Sequence, residues 1–120
     1  MSDAIDDFRP DERLAVYGSL RPGERNAHIL EPLTGSWREG YVRGTLRPIN
    51  SGYATGYLGL TLDERAGRVP VALLSSRDLP GFWPELDAFE GEDFVRTVAH
   101  VRIGQGSIEA SLYEWRPARA

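Results

Sequence analysis

The fold is constrained most by the contrast between one segment of helical period and six segments with the character of strands. Apolar residues recur at spacings of three and four in Asp78–Phe89, which predicts a helix. Pro80 and Pro84 place its regular part at about Phe82–Phe89, with Gly91 near the C-terminal cap. Six other segments are apolar or alternating and lie between turn residues: Leu14–Tyr17, Ser36–Ile49, Leu58–Leu62, Val69–Ser75, Phe94–Ile103 and Ser107–Trp115. The chain of 120 residues is therefore predicted as one domain built mainly of strands.

Both ends of the chain are predicted to be tails. Residues 1–12 contain five acidic residues and one arginine, which is too little apolar surface to order the segment, so we expect a disordered acidic tail there. The domain is expected to span residues 13–116, followed by a tail at 117–120. The chain shows no apolar leader and no apolar stretch long enough to span a membrane, so we expect a cytoplasmic protein without a membrane partner.

The composition excludes several kinds of chemistry. The chain has no cysteine, which rules out thiolate nucleophiles and thiolate metal sites. All 14 basic residues are arginine, which rules out a Schiff-base lysine and a P-loop lysine. The net charge of -4 gives no basic footprint for nucleic acid. We therefore expect no metal and no cofactor, and the proton-transfer groups that remain are mainly carboxylates.

Glu90 is the acidic residue whose place on the predicted helix is most informative. Residues four and seven positions apart share a helix face, so Glu90 follows Trp83 and Leu86, which we expect to be buried. Desolvation on such an apolar stripe would raise the pKa of the carboxyl group toward neutrality, as a general acid or base requires. The alternative is a solvated acidic cluster, because four other acidic residues lie close in the sequence: Glu85, Asp87, Glu92 and Asp93.

The segment Tyr17-Gly18-Ser19-Leu20 is the second candidate. A strand that ends in Gly-Ser can present successive backbone N–H groups to an anion, and glycine allows a close approach. The alternative is a tight turn without a ligand. The glycine spacing and the lysine of a phosphate-binding loop are absent, so a nucleotide site is not predicted here.

Taken together, two segments resemble the γ-glutamylcyclotransferase-like family, which includes the AIG2-like proteins. The first is Tyr17-Gly18-Ser19-Leu20-Arg21-Pro22-Gly23, followed by Asn26 and Leu30; the second is Leu86-Asp87-Ala88-Phe89-Glu90-Gly91, followed by Phe94, Val95 and Arg96. The resemblance runs from about Leu14 to Trp115 and covers nearly the whole predicted domain.

This resemblance implies an α+β fold, in which a small, mixed, β-barrel-like sheet and a few short helices surround a cavity. It implies that Tyr17, Gly18, Ser19 and Leu20 bind a γ-glutamyl group, largely through backbone atoms, and that Glu90 is the catalytic acid and base. The implied partner is a small molecule, a γ-glutamyl-amine or a γ-glutamyl-amino-acid. Its α-amine attacks its own γ-carbonyl and yields 5-oxoproline and a free amine.

Two departures from the family pattern keep other functions open. Phe94 stands where the family often has tyrosine, and the apolar strand Val71–Leu74 stands where a Gly-Glu-Leu-Tyr type of strand is common. Both favour a second hypothesis, a small-ligand binding module of the same fold without catalysis, and they predict a more apolar pocket. A third hypothesis is a structural or interaction domain, which would have no ligand cavity.

Overall fold

The six predicted strands and the predicted helix are all present. The computed structural model describes residues 8–50, 52 and 54–117. The strands are β1 Arg13–Val16, β2 Ser36–Pro48, β3 Leu58–Leu62, β4 Arg68–Ser75, β5 Phe94–Ile103 and β6 Gly106–Trp115. The helix α1 spans Leu79–Glu90, and Pro10–Glu12 and Ala27–Ile29 are short 3-10 helices. Among these residues, no helix is long and apolar enough to cross a membrane.

Five of the described strands close into a barrel. Their order is β2-β4-β1-β6-β5, and β5 returns to β2 through the pair Tyr41 and Arg102. β3 adds to the barrel by antiparallel pairing with β2. β1 and β6 run parallel, whereas the other neighbours are antiparallel, so the sheet is mixed. The predicted fold class, an α+β fold with a small mixed barrel and short helices, is confirmed.

The core has two parts, which share β1. Ala15 belongs to a cluster with residues of all the other strands, which is the barrel interior. Leu14 and Val16 belong to a second cluster with Trp83 and Leu86 of α1. Successive side chains of a strand point to opposite faces, so β1 is buried on both, and its run of apolar residues follows from this. The second cluster fixes α1 against the outside of the barrel.

Glycine in β2 permits the barrel to close. A Cβ atom on Gly40 would lie 2.5 Å from the carbonyl oxygen of Arg102 on β5, and one on Gly44 would lie 2.6 Å from that of Thr61 on β3. Real Cβ atoms are not found so close to a backbone oxygen. Glycine at these two positions therefore lets the backbones of neighbouring strands approach closely.

Helix α1 begins three residues before the predicted start, at Leu79. Pro80 occupies the first turn, where its missing N–H is not needed. Pro84, which the prediction placed in the first turn, lies in the interior of this longer helix, where it removes the one hydrogen bond to the carbonyl of residue 80. The burial of Trp83 and Leu86 against the barrel outweighs this loss. The predicted cap is confirmed, because Gly91 has φ +86° and its N–H donates to the carbonyl of Asp87.

The predicted inner boundary of the N-terminal tail is wrong for the residues that the structure describes. Pro10–Glu12 forms a 3-10 helix, and Glu12 is buried. Its carboxylate accepts hydrogen bonds from the N–H of Arg9 and from the guanidinium of Arg77, which satisfies the buried group. The indole of Trp83 also donates to the carbonyl of Asp11. These contacts order a segment whose composition alone predicted disorder. Residues 1–7 and 118–120 of the predicted tails lie outside the described residues.

Candidate active site

A cavity of about 450 Å³ opens between the loop after β1, the C-terminal end of α1 and the segment that leads into β3. The loop contributes residues 17–20, and the helix end contributes Glu90. Tyr57, Phe94 and Tyr113 supply aromatic walls. The cavity thus brings together two sequence segments that lie far apart along the chain, and it argues against the hypothesis of a domain without a ligand cavity.

Glu90 is the last residue of α1 and lies half-buried at the cavity. The helix ends there because Gly91 adopts a positive φ that other residues rarely adopt. Burial raises the pKa of the Glu90 carboxyl group to about 7. Within the described part of the chain, no hydrogen bond or ion pair reaches this carboxylate. An unpaired carboxyl group with a pKa near neutrality can both accept and donate a proton at neutral pH.

The loop after β1 lines the same cavity with residues 18–20, which carry backbone donors. Among the described residues, no acceptor is bound by the N–H groups of Gly18, Ser19 and Leu20, although Leu20 is buried. Three successive donors without partners form the kind of concavity that holds a carboxylate or an oxyanion. A Cβ atom on Gly18 would meet no atom within 4 Å, so the space next to this glycine is open.

The carbonyl groups of this loop, by contrast, are engaged. The N–H of Arg21 donates to the carbonyl of Gly18 over 3.1 Å, and the N–H of Asn26 donates to that of Ser19 over 2.9 Å. The Asn26 amide also donates to the Ser19 hydroxyl over 2.8 Å. Asn26 occupies the N-cap position of the short 3-10 helix Ala27–Ile29, but its side chain makes no cap bond there. The loop is therefore held through its carbonyl groups and the Ser19 hydroxyl, and within the described residues its N–H groups remain without an acceptor.

Tyr17 anchors the start of the loop. Its hydroxyl donates to the carbonyl of Tyr113 over 2.7 Å and accepts from the N–H of Leu60 over 3.2 Å. Burial raises the pKa of this hydroxyl well above its usual range, so it stays protonated. Tyr17 therefore ties β1 to β6 and β3, and its ring forms part of the cavity wall.

A polar network holds the end of α1 on the barrel. Arg96 of β5 binds both carboxylate oxygens of Asp87, over 3.0 and 3.1 Å, and the Tyr113 hydroxyl donates to Asp87 over 2.6 Å. The Arg96 guanidinium also lies 4.4 Å from the centre of the Trp83 ring. The hydrogen bonds from Arg96 hold the pKa of the Asp87 carboxyl group below its usual range.

The five predicted site residues, Tyr17, Gly18, Ser19, Leu20 and Glu90, all line this one cavity, and their roles stay predictions. Sequence reasoning missed Tyr113, which alternates with apolar residues in β6 and carries no local signal. The expectation that Val71–Leu74 makes the pocket more apolar is wrong, because this part of β4 does not line the cavity and belongs to the core. Within the described ranges, no group of three or more histidine or acidic side chains could hold a metal ion.

Comparison with known proteins gives both a family and a set of structural neighbours. The family described as "Gamma-glutamyl cyclotransferase, AIG2-like" matches residues 14–120. A search of curated proteins gave no match. The family match covers nearly the whole chain and includes residues of all six strands.

Three solved structures illustrate the likeness of fold. An AIG2-like protein from Mus musculus superposes with a TM-score of 0.64 at 16% identity, over 86% of this chain and 76% of that one. The uropathogenic E. coli-specific protein c4763 gives 0.67 at 19% identity, over 88% and 79%. The uncharacterized protein PH0828 from Pyrococcus horikoshii gives 0.59 at 19% identity, over 88% and 80%. Such identities show the fold alone, whereas the match over residues 14–120 shows that the chain belongs to the γ-glutamyl cyclotransferase, AIG2-like family.

Proposed function

We propose that this protein is a cyclotransferase that converts a γ-glutamyl-amine or a γ-glutamyl-amino-acid to 5-oxoproline and a free amine. The observation that carries the proposal is the unpaired, half-buried carboxyl group of Glu90, which shares a cavity with the free N–H groups of Gly18–Leu20. Membership of the family supports the same reaction class.

Glu90 is the base and then the acid in this reaction. Its carboxylate takes a proton from the α-ammonium group of the substrate, and the free amine attacks the γ-carbonyl carbon. A C–N bond forms, the carbonyl oxygen becomes an oxyanion, and Glu90 returns the proton to the leaving nitrogen as its C–N bond breaks. The regenerated carboxylate takes the second proton from the ring nitrogen, and the released amine takes it up as an ammonium group. Overall the α-nitrogen loses two protons and the leaving amine gains two, so neither water nor a redox partner is consumed.

The loop after β1 positions the substrate. The α-carboxylate of a γ-glutamyl group needs hydrogen-bond donors, and the N–H groups of Gly18, Ser19 and Leu20 are available for it. When the loop holds the α-carboxylate, the γ-glutamyl group of the substrate folds so that its α-amine lies over its γ-carbonyl. This orientation lowers the entropic part of the barrier to cyclisation. The cavity of about 450 Å³ is large enough to hold a small γ-glutamyl conjugate.

The test is product formation from a panel of γ-glutamyl conjugates of different amines and amino acids, with 5-oxoproline detected by mass spectrometry. The control is the same conjugate acetylated on its α-nitrogen, which keeps the γ-amide but has lost the nucleophile. We expect 5-oxoproline from at least one free conjugate and none from its acetylated form. Absence of product from the whole panel would contradict the proposed activity.

A second candidate function is ligand binding without turnover. Phe94 favours it, because Phe94 lines the cavity with a ring that has no hydroxyl group. Calorimetric titration with 5-oxoproline and with glutamate separates the two functions. Binding together with no product from the panel would favour the binding module.

A further inference from the structure

The network beside the cavity lies one helical turn from the proposed base. Trp83, Asp87 and Glu90 follow one another along α1 at spacings of four and three residues, so neighbouring side chains lie on one face, about 5–6 Å apart at their Cβ atoms. Asp87 binds Arg96 through both carboxylate oxygens and accepts the Tyr113 hydroxyl. Asp87 does not line the cavity, whereas Glu90 and Tyr113 do.

The two partners of Asp87 are a cation and a hydroxyl donor, which are the kinds of group that pair with a carboxylate. Tyr113 lines the cavity with Glu90 and lies within the electrostatic influence of its carboxylate. The long, flexible side chain of Arg96 could cover the distance from Asp87 to the next carboxylate on the same face. A guanidinium or a phenol bound to Glu90 would stabilise its charged form and make it a weaker base.

The other charged and titratable groups around Glu90 do not replace them. Tyr17, at the end of β1, uses its hydroxyl on the carbonyl of Tyr113. Glu92 and Asp93, in the connection to β5, line the same cavity and carry negative charge. The positive charge of the network therefore comes from Arg96, and Asp87 neutralises it.

We propose that Asp87 is a positioning residue that occupies both the Arg96 guanidinium and the Tyr113 hydroxyl, and so keeps the Glu90 carboxylate free of partners. Its importance for catalysis rests on the proposed function, but the arrangement itself does not. A purely structural role, in which Asp87 only fastens α1 to β5, would change stability without changing the titration of Glu90.

The test is an NMR titration of the Glu90 carboxyl carbon in protein labelled at its glutamates, with Glu90→Gln used to assign the resonance. Asp87→Ala releases Arg96 and Tyr113, so we expect the pKa of Glu90 to fall by at least one unit, a tenfold change in its proton affinity. In the Asp87→Ala background, adding either Arg96→Gln or Tyr113→Phe should restore the pKa, depending on which group has moved to Glu90.

Two outcomes would overturn the inference: an unchanged Glu90 titration in folded Asp87→Ala protein, or a lowered pKa that neither second substitution restores. If Asp87→Ala does not fold, Asp87→Leu keeps a side chain of similar size without a hydrogen-bond acceptor, and the same outcomes decide. The titration needs no substrate, so a protein without cyclotransferase activity leaves the inference standing. In an active protein, the acid limb of the rate profile should move by the same number of pH units as the titration.

Discussion

At the scale of single residues, burial without a partner distinguishes Glu90 from the other acidic residues of its segment. Glu85 and Glu92 are exposed to solvent, and Asp87 is paired with Arg96. Glu90 alone combines partial burial with a place at the cavity and a pKa of about 7. The prediction of a buried carboxyl group therefore holds for Glu90, and the prediction of a solvated acidic cluster holds for Glu85 and Glu92. Within α1, Glu85 and Glu90 lie on different faces.

Glu90→Gln should lower turnover by about 10²- to 10⁴-fold while ligand binding is kept, because the amide has nearly the same shape but cannot accept the proton. The matched control is Glu85→Gln, which removes an exposed carboxylate of the same helix that does not line the cavity. Steady-state rates on the best substrate of the panel, with calorimetry for binding, make the comparison. Equal rates for Glu90→Gln and the unmodified protein would show that Glu90 is not the base.

At the scale of elements, hydrogen bonds fix the loop after β1 and the end of α1 without using the groups proposed to bind the ligand. These groups are the N–H groups of the loop and the carboxylate of Glu90. Asn26 and Arg21 bind the carbonyl side of the loop, and its N–H groups stay free. Asp87 fastens the last turn of α1 to β5 and β6. The site therefore depends on backbone geometry as much as on side chains.

Gly18→Val should weaken the binding of 5-oxoproline or glutamate by about tenfold or more. A Cβ atom there would meet no protein atom within 4 Å, so the fold has room for it, and Gly18 is a lining residue of the cavity, so we expect the branched side chain to crowd the ligand. Arg25→Ala should have little effect, because Arg25 stacks on Tyr57 and does not line the cavity. In calorimetric titrations, loss of binding in Arg25→Ala with Gly18→Val unaffected would show that side-chain charge holds the ligand.

Closure of the barrel makes a separate prediction about stability. Gly40→Val should lower the free energy of unfolding by about 1–3 kcal/mol, because its Cβ would overlap the Arg102 carbonyl at the β2–β5 pair. Gly67→Ala is the control, since a Cβ there meets nothing within 4 Å. Urea denaturation of both variants measures the difference, and equal midpoints would mean that the close approach at Gly40 is not required.

At the scale of the whole molecule, the barrel and α1 bury a carboxyl group that would be more stable in water. The folded protein binds a proton at Glu90 more tightly than the unfolded chain does, since its pKa rises from 4.5 to about 7. The contribution of this group to stability is therefore fully present below pH 4.5 and is lost as the pH rises through 7. The fold holds the group in this unfavourable place, which is what the proposed chemistry requires.

The free energy of unfolding of the unmodified protein should consequently fall relative to that of Glu90→Gln as the pH rises from 4.5 to 8. The expected change in the difference is on the order of 3 kcal/mol. Urea denaturation of both proteins at a series of pH values measures it, and subtraction removes the contribution of every other titrating group. A difference that does not change with pH would show that the Glu90 carboxyl group titrates normally in the folded protein.

Much of the fold could be predicted because it follows from local patterns. The alternation of Phe94–Ile103, the helical spacing of Trp83 and Leu86, and the stop at Gly91 are properties of neighbouring residues, and the structure confirms them. The start of α1 at Leu79 was missed, because proline is favourable only in the first turn of a helix and Pro84 therefore placed the predicted start near Phe82, whereas burial against the barrel stabilises the longer helix. The 3-10 helix at Pro10–Glu12 was missed because distant residues order it: Arg77 donates to Glu12, and Trp83 donates to the carbonyl of Asp11.

The sequence by itself determined the strands, the helix, the two motifs and the family, and it pointed to Glu90 and to the loop after β1. The family resemblance already implied that both segments act on one substrate; the tertiary structure showed that they line one cavity, and it alone decided that Tyr113 and Arg96 meet at Asp87. Barrel closure brings together residues that are far apart in the chain. Local periodicity records which face a side chain occupies, but it carries no information about which distant side chain lies opposite. The free state of Glu90, on which the proposed chemistry depends, is therefore a property of the closed barrel.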